Sequence, residues 1–255
     1  MSAGTPTVAA RLRAAGCVFA EDEARLLAAE AGSPARLEEL VLRRVAGDPL
    51  EHLLGWAEFC GLRIAVAPGV FVPRRRSELL VAQAAALAPS RPVVVDLCCG
   101  SGAVAAALSA VLDAPEVHAS DLDPAAVDCA RCNLPYGTVH AGDLFGALPA
   151  HLHGRVDVIV ANVPYVPSAA VALMPPEARE HEPRVALDGG ADGLDVARRV
   201  VAGARVWLAS AGSLLFEVGN AQVPTAVRVV AEAGLVPRVV TDDELSATVV
   251  VGTAA

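Results

Sequence analysis

Val93-Val94-Val95-Asp96-Leu97-Cys98-Cys99-Gly100-Ser101-Gly102 runs from three β-branched residues through an acidic position into a glycine turn, and Ala103 to Leu112 continue it as an apolar helical stretch. A run with no polar face belongs inside a sheet covered on both sides. Glycines in the turn let a ligand approach the backbone at the mouth of the next helix. Outward from here the pattern repeats. Val117-His118-Ala119, Val156-Asp157-Val158-Ile159-Val160 and Gly212-Ser213-Leu214-Leu215-Phe216-Glu217 are short β-rich runs, with Pro124 to Cys132 and Leu194 to Ala209 at helical spacing between them. A helix over Leu79 to Leu87 leads in. Val236 to Val240 and Ala247 to Val251 add two strands around the turn Asp242-Asp243-Glu244. This alternation predicts a doubly wound α/β sheet.

Before that sheet the pattern differs. From Val8 to about Val45 apolar residues recur at helical spacing, and Gly16, Gly32-Ser33-Pro34 and Gly47-Asp48-Pro49 divide the stretch into about three helices, with a short fourth at Leu50 to Leu54. Ala57-Glu58-Phe59, Gly61 to Val66 and Val70-Phe71-Val72 read as short strands broken by Gly61, Pro68-Gly69 and Pro73. The expected organisation is a helical unit over 1–55, a β-hairpin linker over 56–73, and the α/β domain over 74–255.

The 255 residues carry 29 acidic and 20 basic side chains, a net charge of -9, which argues against a nucleic-acid-binding surface. Every basic residue is arginine. A phosphate-loop lysine, a Schiff-base lysine and a Tyr/Lys dehydrogenase dyad are therefore excluded. No signal peptide or membrane-length apolar run is legible, so a cytoplasmic location is expected. The six cysteines (Cys17, Cys60, Cys98, Cys99, Cys129 and Cys132) are expected as free thiols, and no metal site is expected. A zinc set from Cys98, Cys99, Cys129 and Cys132 is disfavoured because the first two fall inside the glycine turn. Asp188-Gly189-Gly190-Ala191-Asp192-Gly193 lacks calcium-loop spacing and reads as a glycine-rich turn. His181 reads as a loop histidine, Tyr136 and Trp207 as packing residues; Trp56 can touch either domain, and Glu217 is either structural or pocket-lining.

Asp121, 25 positions after Asp96, closes the second strand where a carboxylate can accept ribose hydroxyls. Gly100-Ser101-Gly102-Ala103-Val104-Ala105 also satisfies a loose dinucleotide fingerprint, so glycine spacing leaves a nicotinamide cofactor and S-adenosyl-L-methionine both open. Ile159-Val160-Ala161-Asn162-Val163-Pro164-Tyr165 separates them. It resembles the strand-ending Asn-Pro-Pro-Tyr of class I methyltransferases that modify planar nitrogens. Such a nitrogen is a poor nucleophile because its lone pair is delocalised. The Asn162 side-chain oxygen and the Val163 carbonyl can accept its two N–H groups and aim the lone pair at a sulfonium methyl, while Tyr165 stacks on the planar group.

The resemblance extends further. Pro49-Leu50-Glu51-His52-Leu53-Leu54-Gly55, Pro68 to Arg74, Glu182-Pro183-Arg184-Val185-Ala186-Leu187-Asp188-Gly189-Gly190-Ala191-Asp192-Gly193-Leu194 and Leu215-Phe216-Glu217-Val218-Gly219 look, in order, like the protein N(5)-glutamine methyltransferases of the HemK/PrmC type. That family methylates the glutamine of the Gly-Gly-Gln loop in peptide chain release factors. The resemblance implies a Rossmann-like class I methyltransferase domain with a seven-stranded, mostly parallel sheet. A helical N-terminal domain that helps hold the protein substrate is also implied. S-adenosyl-L-methionine would lie against Asp96, Cys98, Cys99, Gly100, Ser101 and Gly102, with Asp121 and Leu122 at the ribose, Asp143 and Leu144 at the adenine, and Asn162 nearby. Phe145 is an alternative adenine contact. The target amide would meet Asn162, Val163, Pro164 and Tyr165.

Two departures bear on the substrate. Val163 replaces the first proline of Asn-Pro-Pro-Tyr, and Arg74-Arg75-Arg76-Ser77-Glu78 stands where the family usually has Arg-Pro-Glu-Thr-Glu. The three arginines form either a solvated turn or a substrate contact for an anionic group. The alternatives are therefore methylation of another planar nitrogen, in a small molecule or another protein, or a non-catalytic homologue that binds the cofactor.

Overall fold

The computed structural model describes residues 7–255; the first six residues of the expected helical unit lie outside them. Four helices come first: α1 (Val8–Ala14), α2 (Ala20–Ala31), α3 (Pro34–Val45) and α4 (Leu50–Leu54). Local chemistry sets their ends. Thr7 and Ser33 accept from the amides of Ala10 and Arg36, capping α1 and α3, and Pro34 opens α3 where its missing N–H costs nothing. Gly32 and Gly55 end α2 and α4 in the left-handed region. Leu12, Leu27, Leu40, Val41 and Leu53 form the shared core of this unit. Buried Arg44 on α3 bonds Glu23 of α2 at 2.7 Å and the Asp48 carbonyl at 3.1 Å, and it also pairs with Glu177, far along the chain.

Next come β1 (Trp56–Phe59) and β2 (Leu62–Ala65), an antiparallel hairpin. Its two turn residues, Cys60 and Gly61, have φ of 50° and 72°, the paired positive values of a twist-matched two-residue turn. Trp56 turns toward the helical unit, its indole N–H donating to Glu30 at 2.9 Å under the guanidinium of Arg63. The expected strand at Val70-Phe71-Val72 does not form. The Val70 amide closes a turn on the Ala67 carbonyl at 3.1 Å, and the Val72 amide donates to the Glu182 carboxylate rather than to a strand.

The remaining elements are α5 (Glu78–Leu87), β3 (Val93–Leu97), α6 (Ala103–Val111), β4 (Glu116–Asp121), α7 (Pro124–Asn133), β5 (Thr138–Ala141), β6 (Val156–Ala161), α8 (Pro176–His181), α9 (Asp195–Trp207), β7 (Leu208–Glu217), α10 (Val223–Glu232), β8 (Val236–Asp242) and β9 (Ala247–Thr253). Seven strands form one sheet in the order β5-β4-β3-β6-β7-β9-β8, parallel from β5 through β7, with β9 antiparallel to both neighbours. Side chains alternate between two cores. Val94, Val158, Val160, Leu215, Val249 and Val251 face α5 and α6, while Val95, Leu97, Ile159, Leu214, Phe216 and Val250 face α9 and α10. Both faces are covered, which is why β3 opens on three consecutive apolar residues.

Three further features differ from the sequence reading. β5, unrecognised in sequence, is a four-residue edge strand between Gly137 and Gly142 with half-exposed side chains, so it lacks an apolar run. The helix expected to reach Ala209 ends at Trp207, because β7 already pairs with Val156 at Leu208. Tyr136, expected to pack, is fully exposed on the turn before β5; Trp207 is buried. No helix among the described residues is long and apolar enough to cross a membrane.

Candidate active site

β3 connects toward β4 on one side while β6 and β7 continue on the other, so the crevice beyond their carboxyl ends is a topological switch point. A cleft of about 1080 Å³, counted to its open mouth, lies there. Its floor is the turn Cys98 to Ser101, and its sides come from Asp121 and Leu122 after β4, Asp143 and Leu144 after β5, and Asn162 and Pro164 after β6. Two segments far apart in sequence form the remaining wall: Val70, Phe71 and Pro73 before α5, and Pro183, Val185 and Ala186 after α8.

Tight backbone bonds hold the glycine turn. The Gly100 amide donates to Asp121 Oδ2 at 2.8 Å, the Cys99 amide to the Ser120 carbonyl at 3.1 Å, and the Gly102 amide to the Cys99 carbonyl at 2.8 Å. At Gly102, φ is 76° and a Cβ would meet Ala130 at 3.1 Å, so only glycine admits α7 this close to the start of α6. Asn133, absent from the sequence reading, braces the turn from behind. Its Nδ2 donates to the Ser101 carbonyl at 2.8 Å and its Oδ1 accepts the Ala65 amide at 2.9 Å, tying the turn to the hairpin.

Asp96 is the electrostatic anomaly of the cleft. It is 1% exposed; Oδ2 accepts the Ala105 amide at 3.1 Å, while Oδ1 has no partner. Burial, with Asp121 adding like charge, pushes its pKa up to about 8. A cation beside Oδ1 would satisfy the atom and return the group to its charged form. S-adenosyl-L-methionine carries such cations in its ammonium and sulfonium groups, so the residues present fit it. Asp121, its pKa raised by burial, spends one oxygen on Gly100 and the other on the Asp123 amide at 2.9 Å. A carboxylate has about four acceptor positions, so room remains for ribose hydroxyls. Leu122 is largely exposed at the rim, whereas Leu144 is buried with φ of 48°. Asp143 pairs with Arg199 of α9, a cleft residue that sequence reasoning missed.

On the acceptor side, Asn162 Nδ2 donates to Ser77 Oγ at 3.3 Å, and Ser77 donates to Glu217 Oε2 at 2.9 Å. Glu217 Oε1 accepts the Tyr165 hydroxyl at 3.0 Å and forms an ion pair with Arg76, Nε to Oε1 2.8 Å. Burial and the neighbouring carboxylate raise the Tyr165 pKa, keeping it a hydroxyl donor. The Arg76 guanidinium lies 5.2 Å over the Tyr165 ring. Arg74 is taken up by Glu182, and Arg75 makes no ion pair among the described residues. Two of the three arginines are thus matched internally by buried carboxylates. Sequence offered one signal for this, an acidic residue closing an apolar strand at Glu217; nothing local marked Ser77.

The glycine-rich stretch supports the same motif from outside. Gly189 donates to the Val166 carbonyl at 2.8 Å, and Gln222 Nε2 donates to the Tyr165 carbonyl at 2.9 Å. A Cβ on Gly193 would fall 2.2 Å from the Tyr165 carbonyl oxygen. Other candidates lie elsewhere. The Val163 side chain is buried in the core on the α9 and α10 face, and Phe145 stacks on Trp207; neither lines the cleft. His181 ends α8 outside the lining; its neighbour Glu182 is the buried group. All six cysteines are free, with Cys129 bonded to the Ala65 carbonyl and Cys132 to that of Asp128. Burial raises the pKa of Cys98 and Cys99, so both remain neutral thiols. Glu116, His118 and His151 place ligand-type atoms within 4.8 Å of one another away from the cleft, with Arg155 also on Glu116.

A seven-stranded sheet with its last strand inserted antiparallel, a glycine turn after its central first strand and an acidic residue closing the second define a class I S-adenosylmethionine-dependent methyltransferase. A methyltransferase from Pyrococcus furiosus superposes with a TM-score of 0.58 over 85% of this chain and 96% of its own, at 15% identity, a likeness of fold alone. The ribosomal protein L11 methyltransferase profile matches residues 80–175, the stretch that builds the cofactor side of the cleft. The longer matches are to a release factor glutamine methyltransferase of Geobacter sulfurreducens, 40% identical over 76% of this chain and 69% of that protein, and to one of Bradyrhizobium diazoefficiens, 34% identical over 90% and 86%. The chain belongs to the release factor glutamine methyltransferase family.

Proposed function

We propose that this protein transfers a methyl group from S-adenosyl-L-methionine to the side-chain amide nitrogen of a glutamine, in the Gly-Gly-Gln loop of a peptide chain release factor. The observation that carries this reading is the placement of Asn162 at the cleft, its Nδ2 already engaged by Ser77 and its Oδ1 left to accept from a substrate. Bound in the cleft, the cofactor supplies an electrophilic methyl on a sulfonium. Asn162 Oδ1 and the Val163 carbonyl accept the two N–H groups of the target amide, and Tyr165 and Pro164 hold its plane. With the cofactor bound, the N–C bond would form as the S–CH3 bond breaks, leaving S-adenosyl-L-homocysteine; the N-methylated cation is acidic and loses its proton without a strong base, so His181 has no required part. Asp96 to Gly102, Asp121, Leu122, Asp143 and Leu144 form the cofactor side.

In this reading residues up to Gly55 meet the protein substrate. Val18 and Phe19 stand exposed on that unit, and Arg44 anchors it to Glu177 beside the catalytic wall. Arg75 is the arginine free for an anionic contact. Nucleic acid is not expected to bind directly, and the cytoplasm, where release factors act, is the assigned compartment. The test is transfer of labelled methyl to a recombinant release factor, read by mass spectrometry on the Gly-Gly-Gln peptide. One added methylene on the glutamine, lost in Asn162→Ala with cofactor binding kept, is the expected result. No gain on that peptide would move the substrate elsewhere.

A further inference from the structure

Glu217 accepts from the hydroxyls of Ser77 and Tyr165 and pairs with Arg76, and the direction of the serine bond decides the orientation of Asn162. Beside the guanidinium of Arg76, its carboxylate can only accept. The Ser77 hydroxyl, 2.9 Å from Oε2, therefore gives its single proton to Glu217. Only lone pairs then remain on Ser77 Oγ for Asn162, 3.3 Å away, so the Asn162 atom facing Ser77 must be the amine. An inverted Asn162 amide would have the same shape and pack equally well. Bond polarity alone separates the two, and its source is the buried charge.

We infer that Glu217 and Ser77 are positioning residues that fix the amide of Asn162, so that it presents an acceptor, not a donor, to the amide being methylated. This rests on the glutamine reading above. Inverted, Asn162 would set its own amine against the amine of the substrate, and the lone pair could no longer be aimed. The other oxygen of the same carboxylate takes the Tyr165 hydroxyl at 3.0 Å, so both ends of the Asn162 to Tyr165 motif hang from one side chain. Arg76 pairs with that carboxylate and covers the Tyr165 ring at 5.2 Å. Arg76, which stands where the family pattern has a carboxylate, thus acts inside the site, through Glu217.

The experiment compares the unaltered enzyme with Glu217→Gln, Ser77→Ala and Ser77→Thr, measuring kcat and KM for a recombinant release factor and the cofactor Kd by calorimetry. The glutamine amide at 217 can donate to Ser77 and reverse the whole chain. Its kcat is expected to fall about 10- to 100-fold with the cofactor Kd unchanged. Ser77→Ala is expected to lose kcat as well, and Ser77→Thr, which keeps the hydroxyl, to recover most of that loss; a merely structural role would not follow the hydroxyl. If the unaltered enzyme leaves the release factor unmethylated, the glutamine reading falls and the inference with it. If it methylates and Glu217→Gln keeps its kcat, the inference alone falls. Should Glu217→Gln lose cofactor binding through misfolding, the serine pair decides: equal kcat in Ser77→Ala and Ser77→Thr overturns it.

Discussion

The guanidinium of Arg74 closes on the carboxylate of Glu182, a side chain left 1% exposed, which also accepts the Val72 amide at 3.2 Å. This contact joins the two segments that wall the cleft opposite the glycine turn. Arg74→Ala would strand a buried acid. Because Arg74 is itself 35% exposed, the expected loss is about 1–3 kcal/mol, below the roughly 3–5 of a fully buried pair, measured by urea unfolding.

That loss should depend on pH in a fixed direction. Burial raises the Glu182 pKa in the folded state. A carboxyl raised on folding stabilises the fold while protonated, and this contribution disappears as pH rises through its folded value. Removing Arg74 raises it further, so the deficit of Arg74→Ala should be larger at pH 8 than at pH 5. A deficit independent of pH would mean that Glu182 stays charged without its partner.

Asp96 makes a separate prediction about cofactor binding. Its pKa in the free protein, about 8 against an ordinary 3.8, leaves it protonated at pH 7, and a cation against Oδ1 would discharge that proton. Binding S-adenosyl-L-methionine at pH 7 should therefore release up to one proton, seen as a buffer-dependent calorimetric enthalpy. Asp96→Asn should abolish the release. The same raised value means that the free protein loses stability as pH climbs toward 8, a slope that Asp96→Asn should flatten.

Gly193→Ala tests the support behind Tyr165. The residue has φ of 79°, and a Cβ would collide with the Tyr165 carbonyl at 2.2 Å. Backbone strain alone costs about 1–3 kcal/mol, and the collision displaces the motif that holds the target amide. A lowered melting temperature together with reduced transfer and near-normal cofactor affinity is expected, measured by thermal scan, transfer assay and calorimetry.

Arg44→Met should destabilise by about 3–5 kcal/mol in urea unfolding, because it leaves Glu23 buried and unpaired at 10% side-chain exposure. Adding Glu23→Leu should return much of it. If the single and double variants unfold alike, the ion pair is not what holds α2 to α3.

What was legible in sequence was local. The β3 run, the turn at Gly100 to Gly102 and the Asn162 to Tyr165 motif are each contiguous, and the family resemblance rested on such stretches. β5 escaped because an edge strand of four half-exposed residues has no apolar pattern. Val70 to Val72 misled because β-branched and aromatic residues favour strands, but here the Val70 amide goes to a turn and the Val72 amide to Glu182. Ser77 escaped for another reason: its meaning comes from Glu217, 140 residues later, and from Asn162, 85 residues later. The arginine triplet looked like one basic surface, and only the positions of Glu182 and Glu217 divide it into two internal partners and one free residue.

Those long separations carry a consequence for how the protein is made. Ser77, the Asn162 to Tyr165 motif and Glu217 come from three places in the chain, and the last is the end of β7, which is hydrogen-bonded to β6 on one side and to β9 on the other. During synthesis the residues of the glycine turn and of the ends of β4 and β5 are translated well before the carboxylate that orients the acceptor side. A chain truncated before β7 is thus expected to be inert whatever it binds, and competence to methylate arrives only when nearly the whole polypeptide has been released.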